Sequence, residues 1–133
     1  TLHTNNAVGT LNRMADMGVE RYLIADSVVG VIAQRLVRKL CGHCKKMRPA
    51  TQDEKRLMKL NTQEEVNIYG RIGVFEIMEV NDEIRDLIAE NGTTEELERA
   101  ARNSGMRTLR DNGISYVLNG TTSVEEMLKA SYE

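Results

Sequence analysis

The sequence predicts an α/β protein that is mostly helical, and three observations carry the expectation. Arg71 to Val80 is a run rich in β-branched residues with little polar alternation at its centre, as expected for a strand buried on both faces. On either side of it, apolar residues recur at helical spacing between capping residues and glycines. Hydrophobic residues make up 41% of the 133 positions and charged residues 29%, which suits a folded, soluble chain and is too apolar for disorder.

Taken in order, Thr1-Leu2-His3-Thr4 reads as the end of a strand running into a helix cap at Asn5-Asn6. Ala7, Val8, Leu11, Met14 and Met17 then repeat at helical spacing, and Gly18 ends that helix. A second apolar series, Leu23, Ile24, Val28, Val31, Ile32 and Leu36, predicts a helix from about Glu20 that gives way to a strand near Arg35 to Leu40. Pro49 marks a break, and Thr51 to Leu60 is a short charged helix. After the strand at 71–80, Asn81 or Asp82 caps a helix bearing Ile84, Leu87 and Ile88. Thr93 and Glu96 have capping-box spacing before Leu97, Ala100 and Ala101, and Ser123 with Glu126 repeats it before a last helix. Gly105 and Gly113 are read as punctuation between these helices.

No apolar run approaches the roughly 18 residues needed to span a bilayer, and the first residues lack the basic and apolar regions of a signal peptide. The net charge of -2 conceals an asymmetry: Arg35, Arg38, Lys39, Lys45, Lys46 and Arg48 fall between Gln34 and Gln52 with no acid among them. Such a stripe is either a solvated face or a contact for a protein or a membrane-proximal partner. Nucleic acid is not expected as a partner, because the chain has no Trp, one Phe, and no aromatic interleaved with these cations to stack on bases.

Three side chains are candidates for chemistry. His3 stands where a strand ends, the place where ligands gather in open α/β sheets, and imidazole there can hydrogen-bond a phosphate oxygen. Cys41 and Cys44 form a C-x-x-C, two thiolates spaced to reach one metal ion. Structural zinc needs four ligands and the chain has no second C-x-x-C, so the site is half built. Thiol redox chemistry would place the pair at a helix N-terminus, whereas the segment after Cys44 is basic and stopped by Pro49. Neither a Walker-type G-x-x-x-x-G-K-[ST] nor a G-x-G-x-x-G occurs, and no acidic pair marks a Mg2+ site.

Five segments taken together carry a family resemblance. They are Thr1 to Ala7, Ile32 to Arg38, Cys41-x-x-Cys44, Gly70-Arg71-Ile72-Gly73-Val74-Phe75-Glu76, and the tail from Gly105 through Gly113 to Glu126. In this order they resemble the secretion ATPase superfamily of type II secretion and type IV pilus assembly, over nearly the whole chain. The resemblance implies the C-terminal part of a RecA-like nucleotide-binding domain at 1–40, beginning at the His box. A zinc-knuckle-like segment follows at 41–69, and one buried strand with a helical C-terminal subdomain at 70–133. It implies that His3 is the His-box histidine near the γ-phosphate, and that Walker A, Walker B and the Mg2+ ligands lie upstream of Thr1. The fragment alone is then expected to be inactive, although the full-length protein is an ATPase using ATP and Mg2+. Such a protein is implied to be a cytoplasmic homo-hexamer at the inner face of the cell membrane, driving an inner-membrane platform protein and touching the membrane only indirectly.

The C-x-x-C resembles the first half of the family's tetracysteine zinc motif, which implies Zn2+ on Cys41 and Cys44. That pattern places a second pair shortly before G-R-x-G, whereas Asn67-Ile68 here runs straight into Tyr69-Gly70-Arg71, short by about a dozen residues. A natural sequence with a loop between Ile68 and Tyr69 is the expectation, against a protein that has lost its knuckle. A non-catalytic interaction module and a small zinc or thiol-redox protein are the rival readings.

Overall fold

The computed structural model describes residues 2, 4–43, 45, 51–58 and 68–132. Among them the order of elements is α1 (Ala7–Asp16), α2 (Arg21–Ser27), β1 (Gly30–Leu40), α3 (Gln52–Met58), β2 (Ile68–Glu79), α4 (Asp82–Ala89), α5 (Thr94–Asn103), α6 (Leu109–Leu118) and α7 (Val124–Tyr132). The two strands pair as a small antiparallel sheet, and the rest is helical, so the architecture is mixed α and β. The chain divides into two compact units, Thr1–Ala33 with Phe75–Thr108, and Gln34–Val74 with Leu109–Glu133.

In the first unit, helix starts are written in short polar side chains. Asn6 Oδ1 accepts from Gly9 N–H at 2.8 Å to open α1, and Asn81 Oδ1 accepts from Ile84 N–H at 2.9 Å to open α4. At α5 both halves of the expected capping box form. Thr93 Oγ1 accepts from Glu96 N–H, and Glu96 Oε2 accepts from Thr93 N–H at 2.8 Å. That reciprocal bond holds the Glu96 carboxyl below the usual carboxylate range. Gly18, at φ +89°, ends α1 in the left-handed region, as the sequence predicts. Helix α1 packs on α2 and α5, and α4 packs on α2 and α5. Val8, Leu11, Ile24, Met78, Ile84, Ile88 and Leu97 are fully buried in this unit.

Three expectations fail here. The strand begins at Gly30, not near Arg35: once α2 ends at Ser27, buried Val31 and Ala33 alternate with exposed Ile32 and Gln34, a period of two carried by β-branched Val31 and Ile32. Strand β2 is not buried on both faces: Val74, Glu76 and Met78 point inward, whereas Phe75 and Ile77 are 40% and 60% exposed. Apolar side chains on the outer face had masked the period of two. Met17, assigned to the apolar face of α1, is also exposed.

In the second unit the closest packing is between α6 and α7, where Val117 and Met127 are buried with Ile114, Val124 and Leu128 around them. Gly113 is not punctuation. It lies inside α6, and a Cβ there would come 2.6 Å from Met127 Cγ, so glycine is what lets the helices approach. The start of α7 makes only half of its capping box. Ser123 Oγ accepts from Glu126 N–H at 3.3 Å, but the Glu126 carboxyl turns to β1. The predicted charged helix forms as α3.

Candidate functional site

Of the three predicted site residues, His3 and Cys44 lie outside the described residues, and Cys41 is half-buried just past the end of β1. What surrounds them in the chain is described, and it defines two places with chemistry.

The first is the entry to α1. The amides of a helix's first turn lack intrahelical acceptors. Asn6 supplies one acceptor locally, while the Ala7 N–H donates at 2.7 Å to Oε1 of Glu76, 69 positions away on β2. Glu76 is 3% exposed. A carboxyl group so far from water is costly unless hydrogen-bonded, and the positive end of a helix is a favourable place for its oxygens. Two residues before the cap, the chain is held again: the Thr4 and Thr10 hydroxyls lie 2.6 Å apart, and Thr10 Oγ1 donates to Asn6 O at 3.1 Å. The segment that follows His3 is therefore fastened to α1 by Thr10, and α1 to β2 by Glu76.

The second place is the start of α7 in the other unit. Glu126, 8% exposed, accepts from the Arg38 backbone N–H at 3.1 Å and from its guanidinium, and lies 3.5 Å from Lys129 Nζ. The Arg38 hydrogen bonds hold its carboxyl down to about 2, against the opposing effect of burial. Thr122, fully buried, donates from Oγ1 to Arg38 O at 2.7 Å. Nearby, a cavity of about 440 Å3 is lined by Lys39, Cys41, His43, Lys45 and Thr121, with Lys45 Nζ donating to Gly120 O at 2.8 Å. The basic stripe is thus partly consumed inside its own unit: Arg38 and Lys45 have internal partners, and Lys46 and Arg48 lie outside the described residues.

Tetrahedral zinc takes four N or S ligands, the C-x-x-C offers two, and among the described residues no three His, Cys, Asp or Glu side chains gather to hold a metal. Among the described residues no helix is long and apolar enough to cross a membrane.

Sequence reasoning missed Glu76, Glu126 and Thr122 as interacting groups. For Glu76 the signal was available: an acid inside Val-Phe-Glu-Ile-Met, in a strand read as buried, requires a partner. For Glu126 the capping-box spacing was a sufficient local explanation and concealed the distant one.

The sequence that forms these paired strands and short capped helices has recognisable relatives. A family described as "Type II/IV secretion system protein" matches residues 1–129. The chain is 40% identical over 131 positions to the type II secretion system protein HxcR of Pseudomonas aeruginosa, covering 98% of this chain and 27% of that protein. It is 35% identical over 147 positions to the type II secretion system ATPase E of Vibrio cholerae, covering all of this chain and 29% of that protein. To the type IV pilus assembly ATPase PilB of Acinetobacter baylyi it is 38% identical over 152 positions, again covering all of this chain and 26% of that protein. The chain belongs to the type II/IV secretion system protein family. It spans a little over a quarter of the length of these relatives.

Proposed function

We propose that the chain is the C-terminal part of a longer ATPase that powers type II secretion or type IV pilus assembly. The observation that carries this reading is the match to the family over residues 1–129, combined with coverage of about a quarter of relatives whose names include secretion and pilus ATPases. The nucleotide grip is assigned to the part of the protein upstream of Thr1, because no phosphate loop occurs in residues 1–133. ATP and Mg2+ bind there, and His3 supplies a hydrogen bond to the γ-phosphate at the edge of that site. The assembly is a homo-hexamer acting on an inner-membrane platform protein from the cytoplasmic side, and the helical units of this chain carry the movement.

The exposed apolar side chains on the outer face of the first unit's sheet support the idea of a larger whole. Ile32 on β1 is 66% exposed and Ile77 on β2 60%, apolar surface that a soluble chain ordinarily covers with another layer. The alignment lengths bear on the missing loop. HxcR aligns over 131 positions with 98% of this chain, leaving no room for an insertion, whereas the Vibrio cholerae ATPase needs 147 positions for 133 residues. A relative whose aligned stretch has the same length supports a natural short connection before Tyr69 rather than an omitted loop. Cys41 and Cys44 are then a two-ligand set, and no step of the proposed mechanism runs through a metal.

The experiment is ATP hydrolysis by the full-length protein and by residues 1–133 expressed alone. Turnover by the full-length protein only is the expected result; turnover by residues 1–133 alone contradicts the assignment of the nucleotide grip.

A further inference from the structure

We propose that the cavity at the end of β1 binds a phosphate monoester, held by Lys39 and Lys45. The cavity, of about 440 Å3, lies within the size range of small-molecule sites. Its walls are the strand end at Lys39 and Leu40, the segment carrying His43 and Lys45, and the Gly120-Thr121 loop after α6, all within the second unit. Backbone hydrogen bonds fix those walls: Leu40 N–H donates to Thr121 O at 2.8 Å, and Lys45 N–H to Cys41 O at 3.1 Å. The lining is one-sided in charge. Two ammonium groups and an imidazole face the space, and no carboxylate does among the described residues. Glu126, the buried acid at the start of α7, is already engaged by Arg38 and Lys129. Among the described residues neither Lys39 nor Lys45 is in an ion pair.

Lys45 is held in place without being neutralised. Its Nζ donates to Gly120 O at 2.8 Å, which orients the ammonium group on the wall and leaves two of its three N–H bonds for a ligand. The carbonyl end of α6 carries roughly half a negative charge and offsets only part of the two positive ones. A phosphate monoester suits what remains: it is close to a dianion at neutral pH, and its oxygens can accept from both lysines, the His43 imidazole and the Thr121 hydroxyl. A carboxylate brings one charge on two oxygens and leaves donors unmet. A phosphate group fills only part of the cavity, so the ligand carries a small organic body as well. The site depends on the second unit alone and stands or falls independently of the ATPase reading.

The test uses the full-length protein and reads the acetylation rate of each lysine by mass spectrometry. Glycerol 3-phosphate and phosphatidic acid vesicles present the same monoester, free in one case and at a lipid surface in the other. At least one of them is expected to slow acetylation of Lys39 and Lys45 saturably, by about threefold or more, with the exposed Lys129 unchanged. Protection by glycerol 3-phosphate identifies a soluble ligand, and protection by the vesicles alone identifies a lipid headgroup. Sodium chloride of equal ionic strength and vesicles of phosphatidylglycerol, a diester, are the controls for screening and for an anionic surface. Lys39→Gln leaves the Lys45 bond to Gly120 in place and is expected to raise the half-protecting concentration for Lys45 about fivefold or more, with thermal unfolding unchanged. No protection by either monoester beyond that of its control overturns the site, as does protection of Lys45 that is the same in Lys39→Gln and wild type.

Discussion

Glu126 shows what one side chain does when two local rules compete for it. Its position three residues after Ser123 suits a capping box, yet its carboxyl accepts from both the backbone and the guanidinium of Arg38 and leaves the box half made. A charged hydrogen-bonded pair outweighs a return bond to a single amide. Because its folded pKa lies near 2, below the ordinary glutamate value, the stability it contributes is fully present above about pH 4.5 and is lost as the pH falls towards 2. Chemical denaturation across that window should show the wild type losing roughly 1–2 kcal/mol more than Glu126→Gln, a figure held below the full shift because the Arg38 side chain is 46% exposed. Equal acid sensitivity of the two proteins would remove Glu126 from the account. The same comparison at pH 7 should find Glu126→Ala less stable by about 1–3 kcal/mol, since the Arg38 N–H loses its acceptor.

Elements were legible in the sequence wherever a cap and an apolar period agreed. At α5, Thr93 and Glu96 make both bonds of the box and Leu97, Ala100 and Ala101 are buried as the spacing requires. Thr93→Ala should cost about 1 kcal/mol in an equilibrium unfolding experiment, whereas Thr94→Ala, at the first helical position, should cost less. Legibility failed where the determinant lay on another element. Nothing near Gly113 announces that Met127 lies against it, so a glycine inside α6 read as a break. Gly113→Ala gains up to about 1 kcal/mol of helix propensity but drives a methyl group into Met127 Cγ, and the net expectation is a loss of about 1–2 kcal/mol. A double-mutant cycle with Met127→Ala should show most of that loss relieved; simple additivity would mean the contact is not what destabilises the variant. Strand β2 failed for a related reason. Phe75 and Ile77 are apolar and exposed, so a period-two strand presented itself as a fully buried one.

At the scale of the whole molecule, a set of motifs in order reached the family when single elements were ambiguous. His3, Cys41, the G-R-I-G-V-F-E run and the tail through Glu126 each have local explanations, and only their sequence along the chain excludes the rest. The candidate site was legible in part. The histidine segment and the C-x-x-C were visible as motifs, but the partners that give the first its anchor, Glu76 and Thr10, are defined only by folding. For the C-x-x-C, a sequence with two cysteines and no second pair supports a chain that does not hold structural zinc by itself. Elemental analysis of the purified full-length protein should find well under one zinc per chain, and a full equivalent that is lost in Cys41→Ser would reverse that conclusion. The proposed role of this chain is to bring a phosphate-contacting histidine to an ATPase whose nucleotide grip lies elsewhere in the same protein. The most direct measurement is steady-state ATP turnover by the full-length protein carrying His3→Ala. A fall in kcat of about tenfold or more, with the protein still folded and binding nucleotide, is the predicted result; turnover indistinguishable from wild type would contradict it.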